Sequence, residues 1–203
     1  MPKVARYDAE HKAHTRRRII ETAGRRVKQD GIDGSGVAAL MADAGLTNGA
    51  FYAHFESKDD LVAHVVADQL DAQRAALASL PEGRAALQTF IREYLSPGHR
   101  DDPAGGCPSA ALLDEIGRCG DGVRESYTAG TTSIVEVIAT HLSPEHPSDA
   151  RRTALGLFTI LVGTMQLARA VSDREFSDVV LGAGISNAQL LLDAAITTEG
   201  TIT

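Results

Sequence analysis

The chain has 203 residues, enough for one large or two small domains, and with 4% aromatic residues, no Trp and abundant Ala and Leu it points to helices and away from β-sandwiches and barrels. Its formal net charge of −7 suits nucleic acid only once divided by region: residues 1–28 carry nine bases (Lys3, Arg6, Lys12, Arg16, Arg17, Arg18, Arg25, Arg26, Lys28) against three acids (Asp8, Glu10, Glu21), while residues 61–203 carry ten bases against 18 acids. There is no run of 18 apolar residues, the polar start MPKVARYDAEHK holds no signal segment, and two cysteines are too few for a disulfide scaffold, so membrane and secretion are not expected and a reducing cytoplasm is.

Residues 1 to about 12 read as a flexible basic arm. A helix is expected from Lys12–Thr15 to Gln29, with Ile19, Ile20, Ala23 and Val27 on one face and Gly31 ending it. Ile32 plugs a small core beneath the linker of residues 33–36, and Ser35 is placed to cap the next helix. The stretch from Val37 to Leu61, VAALMADAGLTNGAFYAHFESKDDL, then reads as a helix, a tight turn and a short second helix feeding a third. Val37, Leu40, Met41 and Ala44 fall at helical spacing, Gly45 supplies a positive φ at the C-terminus, and Leu46 plugs the turn. Thr47 caps the short helix, about Asn48 to Phe55, in which Phe51 and Phe55 face inward and Asn48, Gly49, Tyr52 and, at the edge, His54 face out.

Ser57 caps a long helix from Lys58 to about Leu77 with the stripe Leu61, Val65, Val66 and Leu70, closed by Pro81, Glu82 and Gly83. Arg84 to Tyr94 is helical again, and Ser96, Pro97 and Gly98 stop it. After a polar loop, Cys107-Pro108 opens a helix with Ala110, Leu112, Leu113 and Ile116 inward, broken at Gly120. Three long helices complete the pattern: about Gly122–Leu142, Ser148–Val171 and Ser177–Ile196. The last two are too apolar for solvent on all sides and carry small residues that permit close approach, so they bury either in an intramolecular core or in an interface.

The layout of residues 37–61 is that of a DNA-binding helix-turn-helix, in which one helix braces and the next presents small polar groups to base edges; a plain helical hairpin has the same spacing. The run GLTNGAFYAHFESKDDL strongly resembles the N-terminal domain of TetR/AcrR-type transcriptional regulators. That likeness covers roughly Thr15 to Leu61, and beyond it only the helical layout is similar. The chain departs from the family at Arg26 and Val27, where two large apolar residues are usual, which puts the packing of the first helix in question.

The resemblance implies an all-α protein, with a helix-turn-helix DNA-binding domain over residues 1–57 and a larger helical effector-binding and dimerisation domain over 58–203, about nine helices in all. The reading helix has no Arg or Lys, so bidentate guanine contacts are not expected. Thr47, Asn48, Ala50 and Tyr52 are candidates for base edges and thymine methyls, and Gly49 allows close backbone approach. By resemblance Tyr52, His54 and Lys58 meet phosphates, with Ser35 holding one on the other side; His54 reads equally as a packing residue. Family members dimerise through their two C-terminal helices, and pairing two weak reading heads strengthens binding. They also bind a small effector between the middle helices, for which Phe90, Tyr94, Leu113, Tyr127, Phe158, Val162 and Met165 are candidates, all equally suited to core. The apolar lining suggests a hydrophobic or aromatic ligand.

Cys107, at a helix start after a Gly-rich loop, is placed where a helix dipole favours thiolate, with a cation such as Arg169 as neighbour. The segment GGCPSAAL resembles the corresponding region of the electrophile- and hypochlorite-responsive branch of the family. A redox or electrophile sensor and a small buried residue beside Pro108 both fit. No metal or cofactor is expected, since Cys107, Cys119, His99 and His141 make no convincing ligand set. The expected protein is a cytoplasmic, homodimeric repressor that releases double-stranded operator DNA on binding an effector or on modification of Cys107. An enzyme is disfavoured by the lack of a nucleophile elbow or phosphate loop; the alternatives are an activator without effector control and a helical interaction adaptor, which would differ by lacking salt-dependent DNA binding.

Overall fold

The computed structural model describes residues 3–199. Ten helical segments follow one another there, with no strand among the described residues: α1 (Lys3–Asp30), α2 (Val37–Asp43), a 3₁₀ segment (Asn48–Ala53), α3 (Lys58–Ala78), α4 (Arg84–Tyr94), α5 (Pro97–Asp101), α6 (Pro108–Ile116), α7 (Asp121–Leu142), α8 (Pro147–Ala170) and α9 (Arg174–Glu199). The all-α expectation holds. One buried apolar cluster runs from Ile19 in α1 to Leu192 in α9.

Three departures from the sequence reading have local causes. α1 begins at Lys3, so the basic stretch read as a loose arm is helical from that residue onward, and only residues 1 and 2 lie outside the described part. An extra helix, α5, starts where a stop was expected, because Ser96 accepts a hydrogen bond from the His99 N–H at 3.2 Å and Pro97 suits a first helical turn; the same residues that end α4 begin its successor. α9 starts at Arg174, three residues before the expected Ser177, and Ser177 is buried, donating to the Ala168 carbonyl at 2.7 Å.

α3 is the spine. Its face of Leu61, Val62, Val65, Val66 and Leu70 is buried, its first half packs on α1, and its body packs most extensively on α7. The two helices approach closely at Gly130, where an added Cβ would lie 2.6 Å from the Leu70 side chain. α8 lies between α7 and α9. By length and hydropathy α8 could cross a membrane; Ala154, Leu157, Phe158, Leu161 and Met165 are buried against its neighbours, while Leu155 and Leu167 are exposed. Buried Arg100 in α5 fastens α9, donating to the Ser177 hydroxyl at 2.8 Å and the Asp178 carboxylate at 2.6 Å.

At the first helix, the chain's departure from the family pattern is resolved by separating the two positions. Val27 is buried, while Arg26 stays at the surface and bridges α1 to α2 through Asp43, with Asp30 at 2.8 Å as a second partner.

Candidate nucleic-acid interface and a cleft behind it

The helix-turn-helix closes on its turn. Gly45 takes φ +67°, the Leu46 N–H reaches back to the Met41 carbonyl at 2.9 Å, and Leu46 packs against the core, as a Schellman-type end requires. Beyond it, the expected α-helix is a 3₁₀ segment of six residues, Asn48–Ala53. Thr47 flanks it in an extended conformation but makes no side-chain cap, so its hydroxyl is left for other partners. Phe51 and Phe55 are buried, their rings 5.8 Å apart, and anchor the segment to the head. The opposite side is open: Thr47, Asn48 and Gly49 are exposed, Ala50 is half-buried, and Tyr52 is 75% exposed, held edge-on to Phe51. Ser57 caps α3 by accepting from the Asp60 N–H at 3.0 Å, which leaves Lys58 half-buried at the helix start.

Ser35 is a correction. It is fully buried and its hydroxyl donates to the Gly31 carbonyl at 2.7 Å; it neither caps α2, whose N-cap is Gly36, nor faces solvent where a phosphate could reach it. The hydroxyl is used inside the turn after α1.

Sequence reasoning missed the flank that α1 adds. A groove of about 370 Å³ runs beside the reading segment, lined by His11, Lys12, Thr15 and Arg18 from α1 and by Leu46, Ala53 and His54. Arg16 lies over the Phe55 ring at 4.7 Å. Burial, then the charges of Lys12 and Arg16, hold the His54 pKa below its ordinary value, and its Nδ1 is buried without a partner. The groove carries the cations Lys12 and Arg18, and its far wall is Ala53 and His54, which follow Tyr52 in the chain. The only trace of it in the sequence was the density of bases in residues 1–28.

A second cleft, of about 350 Å³, opens behind the head where α1, α3, α4 and α5 meet the loop before α6. Of the expected pocket residues it contains Phe90 and Tyr94, together with Cys107. Leu113, Tyr127, Phe158, Val162 and Met165 do not line it: Phe158, Val162 and Met165 are buried in the core, Leu113 packs against that core, and the Tyr127 hydroxyl is bonded to Ser109 at 3.1 Å. Helical periodicity marks these side chains as inward but cannot separate packing from a cavity wall. The cleft's polar lining, Lys28, Gln69, Gln73 and His99, was not anticipated.

Cys107 is 7% exposed, and its thiol donates to the Gln73 side-chain oxygen at 3.1 Å. Its backbone N–H donates to His99 Nε2 at 3.1 Å, while His99 Nδ1 lies 2.6 Å from the Tyr94 carbonyl. Those partners require a neutral ring protonated on Nδ1, in keeping with a pKa that burial lowers. Arg169 stands beside the same loop and donates to the carbonyls of His99 at 2.7 Å and Arg100 at 3.2 Å. Lys28, from α1 of the head, donates to the Gly106 carbonyl at 2.7 Å. The Glu115 carboxylate of α6 accepts from the N–H groups of Ile32 at 2.7 Å and Asp33 at 3.1 Å, just after α1. Among the described residues, the end of α1 and the turn after it are therefore tied to the Cys107 loop through Lys28 and to α6 through Glu115.

Residues 19–65 match the family model described as bacterial regulatory proteins of the tetR family. That segment is similar to the DNA-binding head of TetR-type regulators. The match spans the second half of α1, α2, the 3₁₀ segment and the start of α3. Solved structures extend the likeness to the body as fold: the reduced form of Escherichia coli NemR is 18% identical over 86% of this chain and 95% of its own, with a TM-score of 0.72. A TetR-family regulator from Agrobacterium tumefaciens is 21% identical over 90% and 98%, with a TM-score of 0.72. Bacillus subtilis FadR, solved in complex with stearoyl-CoA, is 15% identical over 83% and 97%, with a TM-score of 0.60. Among curated proteins, none matches this sequence.

Proposed function

We propose that the protein is a homodimeric transcriptional repressor that reads double-stranded operator DNA with residues 47–52 and releases it when the body is perturbed. The observation that carries the reading is the exposed side of the 3₁₀ segment: Tyr52 stands clear of the head with Thr47, Asn48 and Gly49 exposed in the same segment, while Lys12 and Arg18 of α1 line a groove with Ala53 and His54. The combination of small polar groups and an aromatic hydroxyl with nearby cations is what base edges and phosphates select. In this reading Tyr52, His54 and Lys58 meet phosphate, Thr47, Asn48 and Ala50 meet bases, residues 1–57 form the DNA-binding unit, and residues 58–203 sense and dimerise. Pairing through α8 and α9 is supported by Leu155, Leu167, Phe176, Val179 and Leu190, large apolar side chains left exposed on those helices.

Two inputs to the body are proposed, a small molecule in the cleft behind the head and modification of Cys107. Cys107 lines that cleft, although its thiol is bonded to Gln73 and largely covered, so a reagent must displace that bond. Iodoacetamide that leaves Cys107 unlabelled in the native protein near neutral pH rules out the second input. The deciding experiment is fluorescence anisotropy of the reduced protein on the DNA upstream of its own gene across a salt series, repeated after a mild thiol electrophile and with Cys107→Ser. Steep salt dependence is expected from counterion release. Loss on treatment of the Cys107 protein alone supports the switch; salt-independent or absent binding to every upstream fragment refutes the DNA reading.

A further inference from the structure

The cleft behind the head has an electrostatic character that its apolar walls conceal. Lys28 and Arg169 both face the Cys107 loop, and their polar partners are the backbone carbonyls of Gly106, His99 and Arg100; among the described residues neither forms an ion pair with a carboxylate. The Nη1 of Arg169 is buried with no partner at all. Asp102 is the acid that acts on Lys28, His99 and Arg169 together, and it is exposed and already accepts from the Gly105 N–H at 2.9 Å; Arg25 adds a further positive charge near Lys28. His99, locked neutral by its two hydrogen bonds, contributes no negative charge. Lys28 is the one charged side chain lining the cleft and Arg169 stands behind the same loop, so the positive charge around the site exceeds what Asp102 neutralises, and burial makes that costly while it stays uncompensated.

A second observation is independent of the charges. Tyr94 is 6% exposed and its hydroxyl is buried without a nitrogen or oxygen partner; beside it stands the Cys107 sulfur, which gives its own S–H to Gln73 and offers the Tyr94 hydroxyl only a weak acceptor. Gln69 Oε1, on the same wall, is orphaned as well. Buried polar atoms left unpaired in a cavity mark the places where a ligand's complementary groups belong. The remaining wall is apolar, with the Phe90 and Tyr94 rings 5.8 Å apart and tilted by 56°, and Ala72 and Pro108 beside them. A space of about 350 Å³ lies at the small end of ligand sites, room for a single-ring molecule.

We infer that this cleft binds a small aromatic carboxylate, its anion on Lys28 and the Tyr94 hydroxyl and its ring against Phe90. The inference rests on the regulatory reading and names the chemistry of its effector. The site also reaches the head directly. Lys28 belongs to α1, and its bond to the Gly106 carbonyl is the link between that helix and the Cys107 loop; a carboxylate that draws the ammonium away from Gly106 loosens that link. Reciprocity then requires that operator DNA weaken the anion's binding by the same factor that the anion weakens DNA binding.

The test uses 4-hydroxybenzoate and its neutral isostere 4-hydroxybenzamide on the full chain without DNA, by isothermal titration at constant ionic strength. The acid is expected to bind at least about tenfold tighter than the amide, since charge-assisted hydrogen bonds exceed neutral ones by that order. Lys28→Met is expected to remove the preference, and Tyr94→Phe, which keeps the ring, to weaken the acid several-fold; thermal unfolding of both variants verifies that they fold. Equal affinity for acid and amide, no saturable heat from the acid up to about 10 mM, competition by inorganic phosphate at matched concentration, or unchanged preference in folded Lys28→Met each overturns the proposal. Failure here is separable from failure of the DNA reading. An acid-selective cleft in a protein that binds no DNA overturns the regulator and leaves the site, whereas salt-dependent DNA binding with an indifferent cleft does the reverse.

Discussion

Replacing Glu115 tests whether the head is held to the body by the turn after α1. The carboxylate accepts from the N–H groups of Ile32 and Asp33, the first part-buried and the second exposed, and Gly31, at φ +82°, lies against it so closely that an added Cβ would sit 2.9 Å from Oε1. A hydrogen bond to a charged group contributes about 1.5–3 kcal/mol when well buried. One exposed donor and one part-buried donor lower the sum, and Glu115→Ala is expected to cost about 1–2 kcal/mol. For a chain of this size that is about 2–8 °C in the unfolding midpoint. Asp114→Ala is the control, since the ion pair of Asp114 is with Arg118 in the turn just after the same helix, at the surface, and its loss should stay within about 0.5 kcal/mol. Urea unfolding of both variants reads the difference. If Glu115→Ala is no worse than Asp114→Ala, the turn is held by apolar packing alone and the link adds nothing.

At the reading face, Tyr52→Ala should lower operator affinity at least about tenfold with the dimer intact, and Lys58→Ala should weaken binding to all sequences and reduce the salt slope by about one per head; unchanged anisotropy titrations would remove both residues from the interface. His54 should respond to pH. Its lowered pKa keeps it neutral near pH 7 in the free protein, a nearby phosphate favours its charged form, and DNA affinity should rise as pH falls below neutrality. His11 and His14 lie on the same helix as Lys12 and Arg18, so the slope has to disappear in His54→Gln while both remain; a slope that persists assigns the proton elsewhere. Leu190, 65% exposed on α9, is the cleaner interface probe: Leu190→Glu should halve the mass seen by light scattering without lowering the protomer's helicity, whereas Leu191 packs on Gly156 of its own chain and its loss would disturb the fold.

The parts of this molecule legible in its sequence are those fixed by local chemistry. Gly45, Leu46, Phe51, Phe55 and Ser57 each do in the structure what their type and spacing imply, because a positive φ, a plugged turn, an i to i+4 aromatic pair and a cap depend on neighbours within a few residues. Ser35 was misread for the same reason. A serine before a helix reads as a cap, and only the tertiary turn shows its hydroxyl taken by Gly31. The cleft was half legible. Phe90 and Tyr94 carry the inward period of α4, but Lys28, Gln69, Gln73 and His99 come from three other helices, and no pattern along the chain brings them together. Long-range contact assembles such a set, and periodicity is silent about it.

The placement of the polar links gives the body a route to the reading face. α1 carries the basic groove near its middle and Lys28 near its end, so a displacement at Gly106 acts on the helix that also positions His11, Lys12 and Arg18. α1 is a single helix from Lys3 to Asp30, and a rigid rod moves at both ends together. The two proposed inputs, a bound anion at Lys28 and a modified Cys107 one residue beyond Gly106, would then act on one joint. They should not be additive: once either has broken the link between Lys28 and Gly106, the other has nothing left to release, and a saturating carboxylate should leave DNA affinity insensitive to later modification of the thiol.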